Sequence, residues 1–387
     1  MIERGVYESI KKSIIELRRK LHAYPELSGS EDNTKNILMD YFSNLDRIKV
    51  HSRIGGNSIA WEFCPAGFSK TLIFRADMDA LPIPDEIEKP YVSKFADIGH
   101  KCGHDGHMAI LSGFAQLLNT HPPEKTRVFL LFQAEEETGQ GAEKITEGEW
   151  FKKLKPDYIF GLHNLPDFPK SHIIIKDRIF ASSSVGMQIK LKGKSSHAGQ
   201  PEDGISPAMA LAKLTRFVQK EINYKSFRNF TLATIIHLRL GEIAFGTSPG
   251  EADFMLTLRA ADEQDLKSLT RLISSKTEEI CKAEKLNHEV EFTEHFPSTV
   301  NHHEGYNLIV SAAKEAGLKL IPIETVFRWS EDFGHYLKHV NGAFFGLGAG
   351  RGGPSLHNPD YDFPDDILIS GVKMFYHLYR QIEGATD

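Results

Sequence analysis

The sequence is poor in cysteine: Cys64, Cys102 and Cys281 are the only three in 387 residues. An odd, sparse set suits a reducing compartment and no disulfide framework. Apolar runs are short, and none approaches the roughly 20 residues that a membrane span requires. The opening stretch, MIERGVYESIKKSIIELRRKL, mixes charges of both signs at helical spacing and lacks the apolar core of a secretory signal. An excess of positive charge is missing too. The formal net charge is -6, which argues against nucleic acid as the main partner, because phosphate binding needs clustered Lys and Arg. Internal repeats and low-complexity tracts are absent. The expectation from these absences is a soluble, cytoplasmic globular protein with a small-molecule partner, no membrane partner and no nucleic acid.

What the chain does have is histidine, 18 in all, several of them beside acids. Its length fits one large domain or two. Residues 1–45 read as one or two amphipathic helices broken near Pro25 and Gly29. From about residue 57, short apolar runs (TLIF, RVFLLF, DYIFGL, AFFGLG) alternate with helix-like stretches such as MAILSGFAQLL. That alternation predicts an α/β domain with a largely parallel sheet. The texture changes near residue 183. SSSVGMQIKLKGKSS, SPAMALAKLTRFVQKEI, TLATIIHLRL, DFMLTLRAA, EQDLKSLTRLISSKTEEICKAE and HEVEFTEHF read as β-α-β-β-α-β, the ferredoxin-like α+β order. The predicted organisation is a discontinuous catalytic domain, 1–183 and 298–387, with a smaller domain, 184–297, inserted into it.

Polar clusters fall where the apolar runs stop. TLIF leads into Arg75, Asp77 and Asp79, RVFLLF into Gln133 and Glu135 to Glu137, and DYIFGL into His163 and Asn164. Sites in open α/β sheets form beyond the carboxyl ends of the strands. GHKCGHDGH then places His100, Cys102, His104 and His107 just before a predicted helix. Cys-x-His lets two ligands reach one metal from extended backbone, and a thiolate can bridge two. His107, a helical turn beyond His104, packs or caps instead and stays outside the ligand set. Three adjacent carboxylates after a buried strand raise one another's pKa unless cations compensate. Adjacent glutamates can also divide labour, one on a metal and one taking a proton from water. His357, in the turn-rich PSLHNPDYDF, supplies a ligand still missing from a two-metal count.

With these residues in view, the chain resembles the M20 metallopeptidase family, in its amidohydrolase branch of aminoacylase and hippurate-hydrolase-like enzymes. The resemblance runs through RKLHAYPELSGSE (with Arg19, His22, Pro25 and Glu26 as the family's R-x-x-H-x-x-P-E), RADMDALP, CGHDGH, EETGQGA, GLHNLP, GKSSHAGQPEDGISP, WSEDF and LHNPDYDF. It implies a zinc-peptidase-like catalytic domain and an inserted dimerisation or lid domain, hence a homodimer. It also implies two divalent ions (Zn, Mn, Co or Ni) held by Cys102 as bridge with His104, Glu137, His163 and His357. Glu136 is then the general acid/base, counted back from Gly139, and Glu135 is an extra acid. Asp79 orients a ligand from behind. His197 matches the histidine that serves the neighbouring subunit's site, and Arg259 the arginine that binds a substrate carboxylate. The implied reaction is cleavage of N-acyl amino acids, of N-acetyl or N-aroyl type, to a carboxylate and a free amino acid. A dipeptidase or carboxypeptidase on the same scaffold is the runner-up, and an inactive binding protein the reading from another class. Two departures bear on substrate choice. Gly246, Thr247, Ser248 and Pro249 stand where the family carries Asn-Val-Ile-Pro, and Trp329 replaces a glycine.

Overall fold

A computed structural model of the chain describes residues 2–46 and 48–384. The chain divides into two compact units: 1–180 with 299–325 and 332–387, and 181–298 with 326–331.

Among the described residues, the first unit is built on an eight-stranded mixed sheet. Its order is Lys49–Ile54, Ser58–Phe63, Thr126–Gln133, Lys70–Asp77, Tyr158–Pro166, Asn341–Gly350, Ile173–Ile175 and Leu320–Pro322. The strands starting at 126, 70, 158 and 341 run parallel, and two antiparallel strands close one edge. The parallel strands are buried on both faces, so their sequences are nearly continuous apolar runs rather than alternating ones. The helix His104–Thr120 packs on this sheet and against Arg4–Ala23 and Leu368–Gly384. All the central parallel strands therefore deliver their carboxyl ends to one side. Asp77, Gln133, His163 and the loop after Gly350 lie there.

The second unit is a four-stranded antiparallel sheet in the order Thr231–Leu240, Glu251–Ala260, Ser183–Lys192, Asn287–Phe296. Numbered by appearance this is 2-3-1-4, the ferredoxin-like arrangement. One face, carrying Ala252, Phe254, Leu256 and Leu258, packs on Leu266, Leu269 and Ile273 of the helix Glu263–Ala283. That helix starts where Asp262 accepts a hydrogen bond from the Asp265 amide at 2.8 Å, an N-cap that satisfies an otherwise orphaned donor. No helix among the described residues is long and apolar enough to cross a membrane.

Under the first unit's site lies a buried ionic network. Its arginine is Arg18 rather than the neighbouring Arg19 that the family motif points to. Arg18 is fully buried and meets Asp105 at 3.1 Å, Asp362 at 2.8 Å and Asp365 at 2.6 Å. Arg19 is about half exposed on Asp365. His22 joins Asp105 at 2.8 Å and Asp85 at 3.1 Å, and Lys101 pairs with Asp85. Removing one partner of a buried pair strands the other charge. Arg18→Met is therefore expected to lower unfolding free energy by about 3–5 kcal/mol, against less than about 1 kcal/mol for Arg19→Met, read from urea unfolding. Burial opposes a charge on His22, but Asp105 and Asp85 outweigh it and raise its pKa from 6.5 to about 9. A raised histidine stabilises fully below its unfolded pKa, so this contribution fades as pH climbs through about 9.

Candidate metal centre

Each candidate ligand is placed by a local feature. Gly103 adopts φ +93°, and a Cβ there would come within 2.5 Å of the Asn164 side chain. Only glycine allows this turn, which swings Cys102 and His104 to the head of the helix His104–Thr120. Glu135 takes φ 58° directly after the Thr126–Gln133 strand, turning the chain so that Glu136 and Glu137 follow on the site side. His163 sits in Tyr158–Pro166, with Nδ1 2.8 Å from the Asn164 carbonyl. His357 has φ 64° and its amide donates to the Lys101 carbonyl at 2.8 Å, tying its loop to the Cys102 turn.

The side chains converge. Cys102, His104 and His163 form one group whose ligand atoms lie within 4.8 Å of one another, and Cys102, Glu137 and His357 form a second. The two groups share Cys102. Its Sγ is 3.3 Å from His163 Nε2. Glu137 Oε1 lies 3.7 Å from His104 Nε2 and 3.8 Å from His357 Nε2. Glu136 Oε2 is 3.9 Å from His104 Nε2, and Glu136, Glu137 and His104 form a further such group. His104 Nε2 and Glu137 Oε1 are buried without a hydrogen-bond partner. Buried polar atoms left in this way call for an ion or a water.

The electrostatics agree with a cation site. Burial, with Glu137, Glu136 and Asp77 close by, pushes the Cys102 thiol well above its usual range. Burial also raises Glu137. It opposes a charge on His104, yet Asp77, Asp79 and Glu137 together lift that ring to about 10. It drives His163 well below the ordinary histidine value. Without cations the cluster must hold protons; with them, thiolate, carboxylate and neutral imidazoles become the favoured forms. The mixed N, O and S donor set suits Zn and also admits Mn, Co or Ni.

Behind the candidate ligands stands a polar frame. His104 Nδ1 faces the Asp79 carbonyl at 2.9 Å, and Asp79 Oδ2 accepts from the Glu137 amide at 2.9 Å. Such contacts fix ring orientation and ligand direction. His107 is held between Asp77 and Asn164, a framing position. Arg75 ties Asp77 at 2.7 Å to Gln133 at 2.9 Å and Asp332 at 2.8 Å. Sequence reasoning passed over Asp332, although WSEDF stood out as a block. Asp105 was equally readable as the acid between two histidines in CGHDGH.

His197 and Arg259 belong to the second unit. His197 is exposed, on a two-residue strand paired with Thr247–Ser248. Arg259 is partly buried and donates to the Arg328 carbonyl at 3.1 Å and Ser330 Oγ at 2.9 Å. Among the described residues no carboxylate pairs with it, and burial lowers its pKa. Trp329, beside these acceptors, stacks on Phe327 with centroids 5.0 Å apart.

Comparison with known proteins adds the lineage. Residues 73–381 match the model of peptidase family M20/M25/M40. The N-acetyl-L-cysteine deacetylase of Bacillus subtilis (strain 168) is 29% identical over 385 residues, covering 98% of this chain and 89% of that protein. An uncharacterized hydrolase of Staphylococcus aureus (strain bovine RF122 / ET3-1) is 30% identical over 377 residues, 94% of this chain and 97% of its own. The crystal structure of Bacillus subtilis YXEP, a dinuclear metal binding peptidase from the M20 family, superposes with a TM-score of 0.82 at 25% identity, covering 97% of this chain and 99% of that one. The chain belongs to peptidase family M20/M25/M40 and is a hydrolase.

Proposed function

We propose that the protein is a two-metal amidohydrolase that cleaves the amide bond of N-acyl amino acids. The observation that carries this reading is the pair of ligand groups sharing Cys102, with Glu136 beside them. Cys102, His104 and His163 would hold one divalent ion, and Cys102, Glu137 and His357 would hold a second. Divalent ions held there would acidify a water and polarise the substrate carbonyl. Glu136 takes the proton from the attacking water and returns it to the departing amine, as a general base and then acid. Asp79 keeps His104 and Glu137 in register. Arg259 takes the substrate carboxylate; it is partly buried, donates only to neutral oxygens among the described residues, and such a guanidinium is best satisfied by a planar anion. His197, supplied by a second copy in a homodimer, stabilises the tetrahedral oxyanion.

The name of the deacetylase relative supports an N-acyl amino acid as substrate, whereas the YXEP description favours a peptide. The deciding measurement is release of free amine from matched N-acetyl amino acids, N-benzoyl amino acids and dipeptides, with Zn, Mn, Co or Ni added and with a chelator. N-acyl amino acids are expected to turn over fastest, and the chelator to abolish turnover. Faster cleavage of dipeptides would make the protein a peptidase. Absence of turnover on every series would leave a binding protein.

A further inference from the structure

Glu31 lies in the loop between the helices Arg4–Ala23 and Asp32–Phe42 and is fully buried. It precedes a helix, so its expected task would be capping. That task falls to another residue. The Glu26 carboxylate accepts from the amides of Asn33 at 3.0 Å and Thr34 at 2.7 Å, and no side-chain cap comes from Glu31. The Glu31 side chain is directed elsewhere. Its Oε1 accepts from the amide of Glu135 at 3.0 Å and from that of Gly29 at 2.9 Å, while Oε2 receives Asn57 Nδ2 at 3.3 Å.

The Glu135 amide belongs to the turn that presents Glu136. Glu135 has φ 58°, a left-handed conformation that a glutamate adopts only when its surroundings impose it. Two residues on, the Glu137 amide is held by Asp79. Buried carboxylates thus grip the amides immediately before and immediately after Glu136. The turn is closed from within by Gly139 donating to the Glu136 carbonyl at 2.8 Å and Gly141 to the Glu135 carbonyl at 3.1 Å. The Glu31 loop is itself anchored to the Asp79 segment. Leu27 bridges Ala80, the Ala80 amide donates to the Glu26 carbonyl at 2.8 Å, and Ser28 Oγ donates to Asp79 at 2.7 Å.

We propose that Glu31 is a positioning residue for the hydrolysis: by fixing the Glu135 amide opposite the Asp79 grip on Glu137, it sets the direction of the Glu136 carboxyl. The inference rests on Glu136 being the proton-transfer group. Its test uses the full metal-loaded chain bearing E31A, E31Q or E31D, with E136Q alongside. The readouts are kcat, KM, bound metal and hydrogen exchange of the amides at 134–137. Loss of the grip leaves the ions in place and KM nearly unchanged, and lowers kcat by about 10- to 100-fold, the scale of a displacement near 1 Å. Exchange at the Glu135 amide accelerates in E31A. E31Q keeps an oxygen acceptor and restores most of kcat, whereas E31D, with a shorter reach, does not. If E31A is too unstable to purify, E31D against E31Q carries the same comparison. Unchanged kcat in E31A and E31D, a loss matched by lost metal, or an E31Q as poor as E31A overturns the proposal. An E136Q enzyme of full activity would instead overturn the assignment of the base, and the exchange result would still decide whether Glu31 holds the turn.

Discussion

Glu136→Gln is expected to lower kcat by about 10²- to 10⁴-fold, the contribution of a positioned general acid–base group, while the metal content stays that of the parent. The amide side chain has nearly the carboxylate's shape but cannot take a proton. Glu136 lies within reach of His104 and Glu137, yet the two ligand groups sharing Cys102 are complete without it. A change confined to proton transfer lowers kcat and kcat/KM together and leaves KM nearly constant. The adjacent acids provide the contrast. Glu137 belongs to one of the ligand groups, so Glu137→Gln should lose metal as well as rate. The Glu135 side chain pairs with Lys144, so Glu135→Gln should change kcat far less than either. Full activity in Glu136→Gln, measured with metal content confirmed on the same sample, would remove Glu136 from the mechanism.

The α/β alternation, the ferredoxin-like insert and the clustering of polar residues at strand ends were legible because they follow from periodicity. Strands buried on both faces read as unbroken apolar runs, and the helix Glu263–Ala283 carries its own cap. The gathering of His, Cys and Glu side chains at the strand ends was legible as well, since such residues have few other reasons to collect there. The frame that holds them was not. Arg18 and Arg19 are adjacent on one helix, and only the packing of Asp105, Asp362 and Asp365 around residue 18 decides which is buried. Glu31 stands where a capping acid belongs, and nothing local tells that Glu26 does the capping. Asp332 reaches Arg75 and Gln133 across a sequence separation no motif spans. Strand periodicity also says nothing of the αL turns at Gly103 and Glu135, which decide where Cys102 and Glu136 face.

Cys102→Ala should cost the protein its metals. Cys102 is the residue that the two ligand groups have in common, so its loss removes a donor from both positions at once. Loss of an outer partner that merely orients a ligand costs about 10- to 100-fold in affinity, and removal of a shared ligand should exceed that. Metal analysis after dialysis is expected to find fewer bound ions than in the parent, and activity should fall with the metal. Cys102→Ser keeps a donor of similar size but lacks the soft, ionisable sulfur, so it should recover little. The parent should show the same chemistry through pH. Burial holds the proton on the Cys102 thiol, and Asp77, Asp79 and Glu137 hold one on His104, with a pKa of about 10. Binding must expel both, so affinity of the metal-free protein should rise with pH, with release of about two protons from these groups. In Cys102→Ala the thiol proton is gone, and the pH dependence of any residual binding should flatten. Two tightly held ions in that variant, with the parent's pH dependence, would rule out a bridging thiolate.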